Sequence, residues 1–282
     1  MPFLTEMDES TGLLDLERVK EKGIDLRAAY LAAHPYPHIA IEDFLPPALL
    51  DRCLAEFPAP ADAATSFNRS QERLKRSFSP DKLPTFSRQL FYSFNSRPFI
   101  QVIENICGIR GLIADPYFLG GGFHEISQGG HLSVHSDFNH HVPLNLERRI
   151  NVLIYLNRDW KDDYGSQLEL WDTDMLRCRK SYPPMFNRCV IFNTTSHSNH
   201  GNPRPVAHPA GVPRRSIALY YYTATWDGTK RTHTTQFRVR PGTVDQPDRD
   251  VKNRELFVDW MPPALYRELL RFRRRLQRKR SQ

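Results

Sequence analysis

A histidine and an aspartate two positions apart close the run Leu132-Ser133-Val134-His135-Ser136-Asp137. Side chains alternate along an extended strand, so His135 and Asp137 project to the same side. One further histidine would complete a face of two imidazoles and one carboxylate on a single metal ion. Such a face leaves adjacent coordination positions open, which suits Fe(II) that must take up other ligands. Gly129-Gly130 precedes the strand, and His131 is followed two positions later by Ser133, so it lacks the paired carboxylate. The second histidine is drawn from His197, His200 and His208. His200 is preferred: Gly201 follows it, and it lies just beyond the apolar run Cys189-Val190-Ile191-Phe192. His197 is the reserve, and His208 sits in a loop between Ala207 and Pro209.

A planar, permanently charged guanidinium is suited to holding a carboxylate. In Arg214-Arg215-Ser216-Ile217-Ala218-Leu219-Tyr220-Tyr221-Tyr222, one strand face carries Arg214, Ser216, Ala218, Tyr220 and Tyr222. The small residues on it leave room for a ligand. The other face, with Arg215, Ile217, Leu219 and Tyr221, suits packing against helices. Arg214 is therefore the first candidate and Arg215 the second. The same parity puts Tyr155 on one face with Asn151 and Leu153. An inward tyrosine hydroxyl needs a polar partner; a bound carboxylate would serve, and an ordinary core tyrosine is the competing reading. Asn139, His140, His141 and Arg148 follow the metal strand and are candidates for the substrate entrance, with a solvated loop as the alternative.

These residues need strands to carry them. From Pro116 to Trp226 the chain is a series of short β-type runs: 118–127, 132–138, 149–156, 167–171, 188–192 and 215–223. Glycine, proline and asparagine separate them, which predicts an antiparallel sandwich or barrel. Ahead of them, Leu26–Ala33, Pro46–Phe57 and Pro98–Gly108 are expected helices, and His38–Leu45 a strand running into a turn. The polar stretch from Ala59 to Pro84 is expected as a mobile loop, a lid. The organisation expected is an N-terminal arm over 1–25, a helical and lid region over 26–115, a β-rich core over 116–240 that carries the candidate site, and a tail with a basic helix over 241–282. In that last helix Leu265, Leu269, Phe272 and Leu276 recur at helical spacing.

The chain has 282 residues and is 40% hydrophobic, enough for a well-buried core. Its formal net charge is +7, much of it in the arginine-rich C-terminus. No nucleic-acid motif accompanies that charge, so a solvated basic helix end is expected, with no specific nucleic-acid partner. No glycine fingerprint for a dinucleotide or phosphate loop is present. Cys53, Cys107, Cys178 and Cys189 form no Cys-x-x-Cys pair and read as reduced thiols in a cytoplasmic protein. The N-terminus lacks a basic segment followed by an apolar run, and no stretch approaches a membrane span.

His135-Ser136-Asp137, Tyr155-Leu156-Asn157-Arg158-Asp159-Trp160, Gly165-Ser166-Gln167-Leu168-Glu169-Leu170, Ser198-Asn199-His200-Gly201 and Arg214 to Tyr222 occur in this order. Together they resemble the prolyl-4-hydroxylase-like branch of the Fe(II)/2-oxoglutarate-dependent oxygenases, in a form similar to a bacterial subgroup. The resemblance spans about Phe118 to Thr225, and His38–Phe57 is similar to an entry segment of bacterial members. It implies a mainly β fold with flanking helices around a double-stranded β-helix (jelly-roll) core. It implies His135, Asp137 and His200 as iron ligands, Tyr155 and Arg214 as contacts to the distal carboxylate of 2-oxoglutarate, and Leu168 as a wall of that pocket. The chain departs from the pattern at Gly165-Ser166, where Gly-Gly is common, and in the long loop Asn202–Pro213.

The expected activity is hydroxylation of an unactivated C–H bond. Fe(II), 2-oxoglutarate and O2 would take part, with ascorbate as an accessory reductant, and succinate and CO2 would form. The substrate is a prolyl or other amino-acid-type residue, or a small biosynthetic metabolite. Asp137 fills the carboxylate position, which disfavours halide chemistry. The competing class is a non-catalytic, cupin-like binding protein with a relic metal site.

Overall fold

Helices dominate the chain before residue 108 and strands after residue 121 in the computed structural model, which describes residues 1–248. The helices are α1 (Leu16–Val19), α2 (Arg27–Ala32), α3 (Pro47–Ala55), α4 (Thr85–Phe94) and α5 (Arg97–Cys107). The strands are β1 (His38–Ile41), β2 (Thr65–Phe67), β3 (Glu72–Phe78), β4 (Ile113–Ala114), β5 (Gly122–Ser136), β6 (His140–His141), β7 (Leu146–Tyr155), β8 (Leu168–Trp171), β9 (Cys178–Tyr182), β10 (Cys189–Asn193), β11 (Asn199–Asn202), β12 (Arg214–Thr223) and β13 (Gln236–Phe237). Met1–Gln246 forms one compact unit. The basic helix expected toward the C-terminus lies outside the described residues.

β5 belongs to two sheets. Its first half pairs with β12 and its second half with β11 and β13, while β3 runs beside it from Phe123 to Leu132. The change of partner falls at Gly129-Gly130. Gly129 has φ +75°, where a side chain is strained, and a Cβ on Gly130 would lie 2.6 Å from Arg73 O. One sheet therefore runs β3-β5-β12-β7-β10-β1 and the other β5-β11-β8-β9, all antiparallel. Two facing sheets joined through a shared strand make the double-stranded β-helix.

The first sheet buries both faces. Ile150, Val152, Ile154, Ile191, Ile217, Leu219 and Tyr221 point outward into one cluster with Leu49, Phe94, Phe99, Val102 and Ile103 of the helices. α5 forms there because Pro98 pre-sets its first turn and Gly108, at φ +75°, ends it. The inward face carries a smaller cluster of Tyr155, Leu168, Leu170, Val190 and Phe192, which leaves the rest of the barrel to polar groups.

Two expectations are corrected. The N-terminal residues are not a loose arm: Leu4, Met7 and Val19 are buried, and the amides of Phe3 and Leu4 bond to the carbonyls of Asp43 and Phe44. Sparse apolar residues among acidic ones hid this. The stretch Ala59–Pro84 is not an irregular loop either. β2 and β3 form a hairpin, and β3 lies along β5 from Phe78↔Phe123 to Glu72↔Leu132.

Candidate metal centre and carboxylate pocket

His135 lies one residue before the end of β5, directly across the ladder from His200 of β11. Their rings are 4.5 Å apart, centre to centre. Each ring is oriented by its own backbone: His135 Nδ1 is 2.9 Å from Ser133 O, and His200 Nδ1 is 2.9 Å from Ser198 O. A carbonyl only accepts, so Nδ1 carries the proton and the Nε2 lone pair faces inward on both rings. Asp137 stands between them, Oδ1 at 3.6 Å from His135 Nε2 and Oδ2 at 3.4 Å from His200 Nε2. The three ligand atoms lie within 4.8 Å of one another, and among the described residues no other trio of His, Cys, Asp and Glu does so. A single ion can touch all three.

The electrostatics suit a cation. Burial alone would raise the Asp137 carboxyl, but Arg148, His200 and His135 outweigh it and hold it well below the usual carboxylate range. Burial pushes His200 down to about 4 against the pull of Asp137, so its imidazole is neutral and free to ligate. The alternatives for the distal histidine lie elsewhere. His197 is exposed. His208 packs on Trp160 and Tyr164 at 5.6 and 4.5 Å.

Close approach of β11 to β5 explains Gly201. A Cβ there would sit 2.8 Å from Ser133 O and 2.9 Å from Leu132 O. Gly201→Ala is expected to push β11 off β5 at a cost of about 1–3 kcal/mol and to displace His200. Thermal unfolding should shift down by several degrees and Mn(II) binding should weaken. An unchanged melting curve would show that the strands have slack. Tyr36 supports the same strand from behind, its hydroxyl donating to Asn199 O at 3.0 Å.

Arg214 of β12 is buried, with NH1 donating to Ser216 Oγ at 3.0 Å and its guanidinium over the Tyr155 ring at 4.8 Å. Ser216 and Tyr155 are directly opposed across β12 and β7. Arg214 Nε and the Tyr155 hydroxyl are both buried without a hydrogen-bond partner. No carboxylate of the described residues pairs with Arg214. Burial holds the Tyr155 phenol above its ordinary pKa even beside Arg214, so it remains an O–H donor. Two orphaned donors converging beside a buried cation fit an incoming carboxylate, since leaving such groups unmet is costly. Leu168 packs in one cluster with Tyr155. Arg215 points the other way, bonded to Glu125 at 3.0 Å and stacked over Phe57.

The four candidates for the substrate entrance separate. Asn139 clips the chain to residues 231–233, donating to Arg231 O and accepting from His233 N. His140 stacks on Trp226 with ring centres 4.0 Å apart. His141 is fully buried, with Nε2 3.1 Å from Asp115 and Nδ1 accepting from Leu144 N, so its ring does not line an entrance. Arg148 is buried against Asp137 at 3.1 Å. Sequence reasoning missed Asn151, whose Nδ2 donates to Asp137 Oδ2 at 2.7 Å. Its shared face with Tyr155 was the available signal. It also missed Phe237 of β13, whose ring lies 5.5 Å from that of His135.

The departures from the usual motif have local reasons. Ser166 Oγ accepts from buried Asn202 at 3.1 Å. The loop after Asn202 returns to the bend of β5, with Val206 bonded to Gly129 and Gly130.

Residues 121–222 match the family model of the 2OG-Fe(II) oxygenase superfamily. That match spans the strands from β5 into β12. His135, Asp137, Tyr155, Leu168, His200 and Arg214 all fall within it. The chain is similar in fold to a prolyl hydroxylase from Trichoplax adhaerens, solved in complex with a hypoxia inducible factor oxygen degradation domain peptide fragment. The TM-score is 0.53 at 16% identity, over 76% of this chain and 96% of that one. A prolyl-4-hydroxylase from Pseudomonas putida aligns with TM-score 0.49 and 18% identity, over 71% of this chain and 98% of that one. HygX from Streptomyces hygroscopicus, solved with nickel, 2-oxoglutarate and hygromycin B, aligns with TM-score 0.47 and 10% identity, over 67% and 83%. No curated protein matches the chain. No helix of the described residues is long and apolar enough to cross a membrane.

Proposed function

We propose that this oxygenase hydroxylates an unactivated C–H bond, with His135, Asp137 and His200 holding Fe(II) and Arg214, Tyr155 and Ser216 receiving the distal carboxylate of 2-oxoglutarate. The observation that carries this reading is the pairing of two sites. A buried two-His, one-carboxylate face lies in the same barrel as a buried arginine and tyrosine whose donors lack partners. A relic binding protein would have no reason to keep both.

Held by His135, Asp137 and His200, Fe(II) would supply activation of O2 coupled to conversion of 2-oxoglutarate to succinate and CO2. The chain supplies position and exclusion of water. The backbone-fixed imidazoles present Nε2 inward, and Asp137 stays ionised between them. Arg214 and the Tyr155 hydroxyl would anchor the far end of the co-substrate, directing its 2-oxo acid end along the barrel. Leu168 and its apolar neighbours would wall the chain between. Ascorbate would serve as an accessory reductant.

The substrate we favour is a prolyl or amino-acid-type residue, with a small biosynthetic metabolite as the second class. The peptide-bound Trichoplax relative motivates the peptidyl arm. We also place the protein in the cytoplasm, because all four cysteines are free and three are buried. For the domain plan we keep 116–240 as the core, with the helical region before it packed on its outer face. The test is succinate release with Fe(II) and ascorbate, screened across prolyl peptides, free amino acids and metabolite pools. Substrate-dependent succinate above the uncoupled background is expected. A protein that binds Mn(II) and 2-oxoglutarate but never turns over would favour the non-catalytic reading.

A further inference from the structure

Arg148 occupies an unusual place. Strict alternation along β7 would put it on the face of Ile150 and Val152, against the helices. The pairing with β12 slips instead: Tyr221 faces Ile150, but Tyr222 faces Arg148, so Arg149 is the extra residue of a bulge. A bulge re-aims the side chain beside it. Here it turns a guanidinium into the barrel, between the rings of Tyr220 at 3.7 Å and Phe138 at 4.4 Å. There NH2 lies 3.1 Å from Asp137 Oδ2, while Nε and NH2 donate to Asn151 Oδ1 at 3.2 and 2.7 Å. Asn151 in turn donates to the same Asp137 oxygen at 2.7 Å.

We propose that Arg148 is a positioning residue for the metal site: with Asn151 it fixes Oδ2 of Asp137 and reserves Oδ1 for the ion. The inference rests on the iron-site reading above and assigns Arg148 a task other than contacting substrate. A carboxylate free to rotate presents either oxygen or both. Two donors on one oxygen remove that freedom and set the ligand before metal arrives. The ring sandwich holds the guanidinium plane, and Asn151 ties it to a second point on the same strand. A planar fork fits this three-way contact where a lysine ammonium would not.

The test uses the full chain and Mn(II) as probe, with affinity read from free Mn(II) by electron paramagnetic resonance and ligand geometry from the visible spectrum of the Co(II) form. Wild type should bind one equivalent, and His135→Ala should lose it; a wild type that binds none would sink the metal-site reading itself. Arg148→Gln should weaken Mn(II) on the order of 10–100-fold, as loss of groups that orient ligands does, and should change the Co(II) spectrum. Arg148→Lys should recover affinity only in part. Asn151→Ala, which removes the shorter bond to Oδ2, should move both readouts in the same direction and carries the test where Arg148→Gln does not fold. Wild-type Mn(II) affinity and an unchanged Co(II) spectrum in folded Arg148→Gln or folded Asn151→Ala would overturn the proposal. A raised KM for the primary substrate as the only defect of Arg148→Gln would likewise assign Arg148 to substrate binding instead.

Discussion

His135→Ala and Asp137→Ala are each expected to abolish substrate-coupled succinate release. Neither ligand has a substitute within reach: His197 is exposed and His208 is packed under Trp160 and Tyr164. Removing one ligand from a set of three leaves a weak, misdirected site, and activity should fall by several orders of magnitude. The two variants differ in a second way. His135→Ala removes a ring held by one carbonyl and should fold. Asp137→Ala leaves Arg148 buried without its anion, a loss that costs about 3–5 kcal/mol when one partner of a buried pair is removed. Asp137→Asn keeps the shape and its bond partners at lower cost, so it separates ligand loss from unfolding. Mn(II) binding and a melting curve accompany each assay. Near-normal turnover in folded His135→Ala or Asp137→Asn would remove these residues from the metal site.

Strand parity makes much of this site legible in the sequence. His135 with Asp137, and Arg214 with Ser216, follow from a period of two over short stretches that hold no bulge. The inward faces also follow, because Ile217 and Leu219 could only suit the helix side. Arg148 was not legible, since a bulge one residue away reverses parity and nothing in Glu147-Arg148-Arg149-Ile150 announces it. β9 was missed for another reason. Cys178-Arg179-Lys180-Ser181-Tyr182 is a solvent-facing edge strand, mostly exposed, and its backbone pairing with β8 leaves no apolar alternation in the sequence. The β2–β3 hairpin hid behind its charges, because Arg69 and Lys75 are spent on Glu72 rather than left in water. Pairing partners, not local propensity, decided these segments.

The register of β12 produces the second large effect. Arg214→Ala is expected to raise the 2-oxoglutarate requirement far more than Arg215→Ala does. The register is pinned by Asn157, whose Oδ1 accepts from Arg215 N at 2.6 Å and whose Nδ2 donates to Arg215 O at 3.0 Å. With that backbone fixed, Arg215 must face Glu125 and Phe57, and Arg214 must face Tyr155. Loss of a buried, charge-assisted contact to a carboxylate should cost roughly 2–4 kcal/mol, which is about thirtyfold or more in 2-oxoglutarate affinity. Arg215→Ala removes one of two arginine partners of buried Glu125, which keeps Arg76 at 3.1 Å, and should leave co-substrate affinity near wild type. Tyr155→Phe adds a second check. It removes one orphaned hydroxyl without changing the ring under Arg214, so it should raise the requirement less than Arg214→Ala. Titrating 2-oxoglutarate against the three variants decides the assignment, for a crippled Arg215→Ala beside a healthy Arg214→Ala would place the carboxylate on the opposite face of β12.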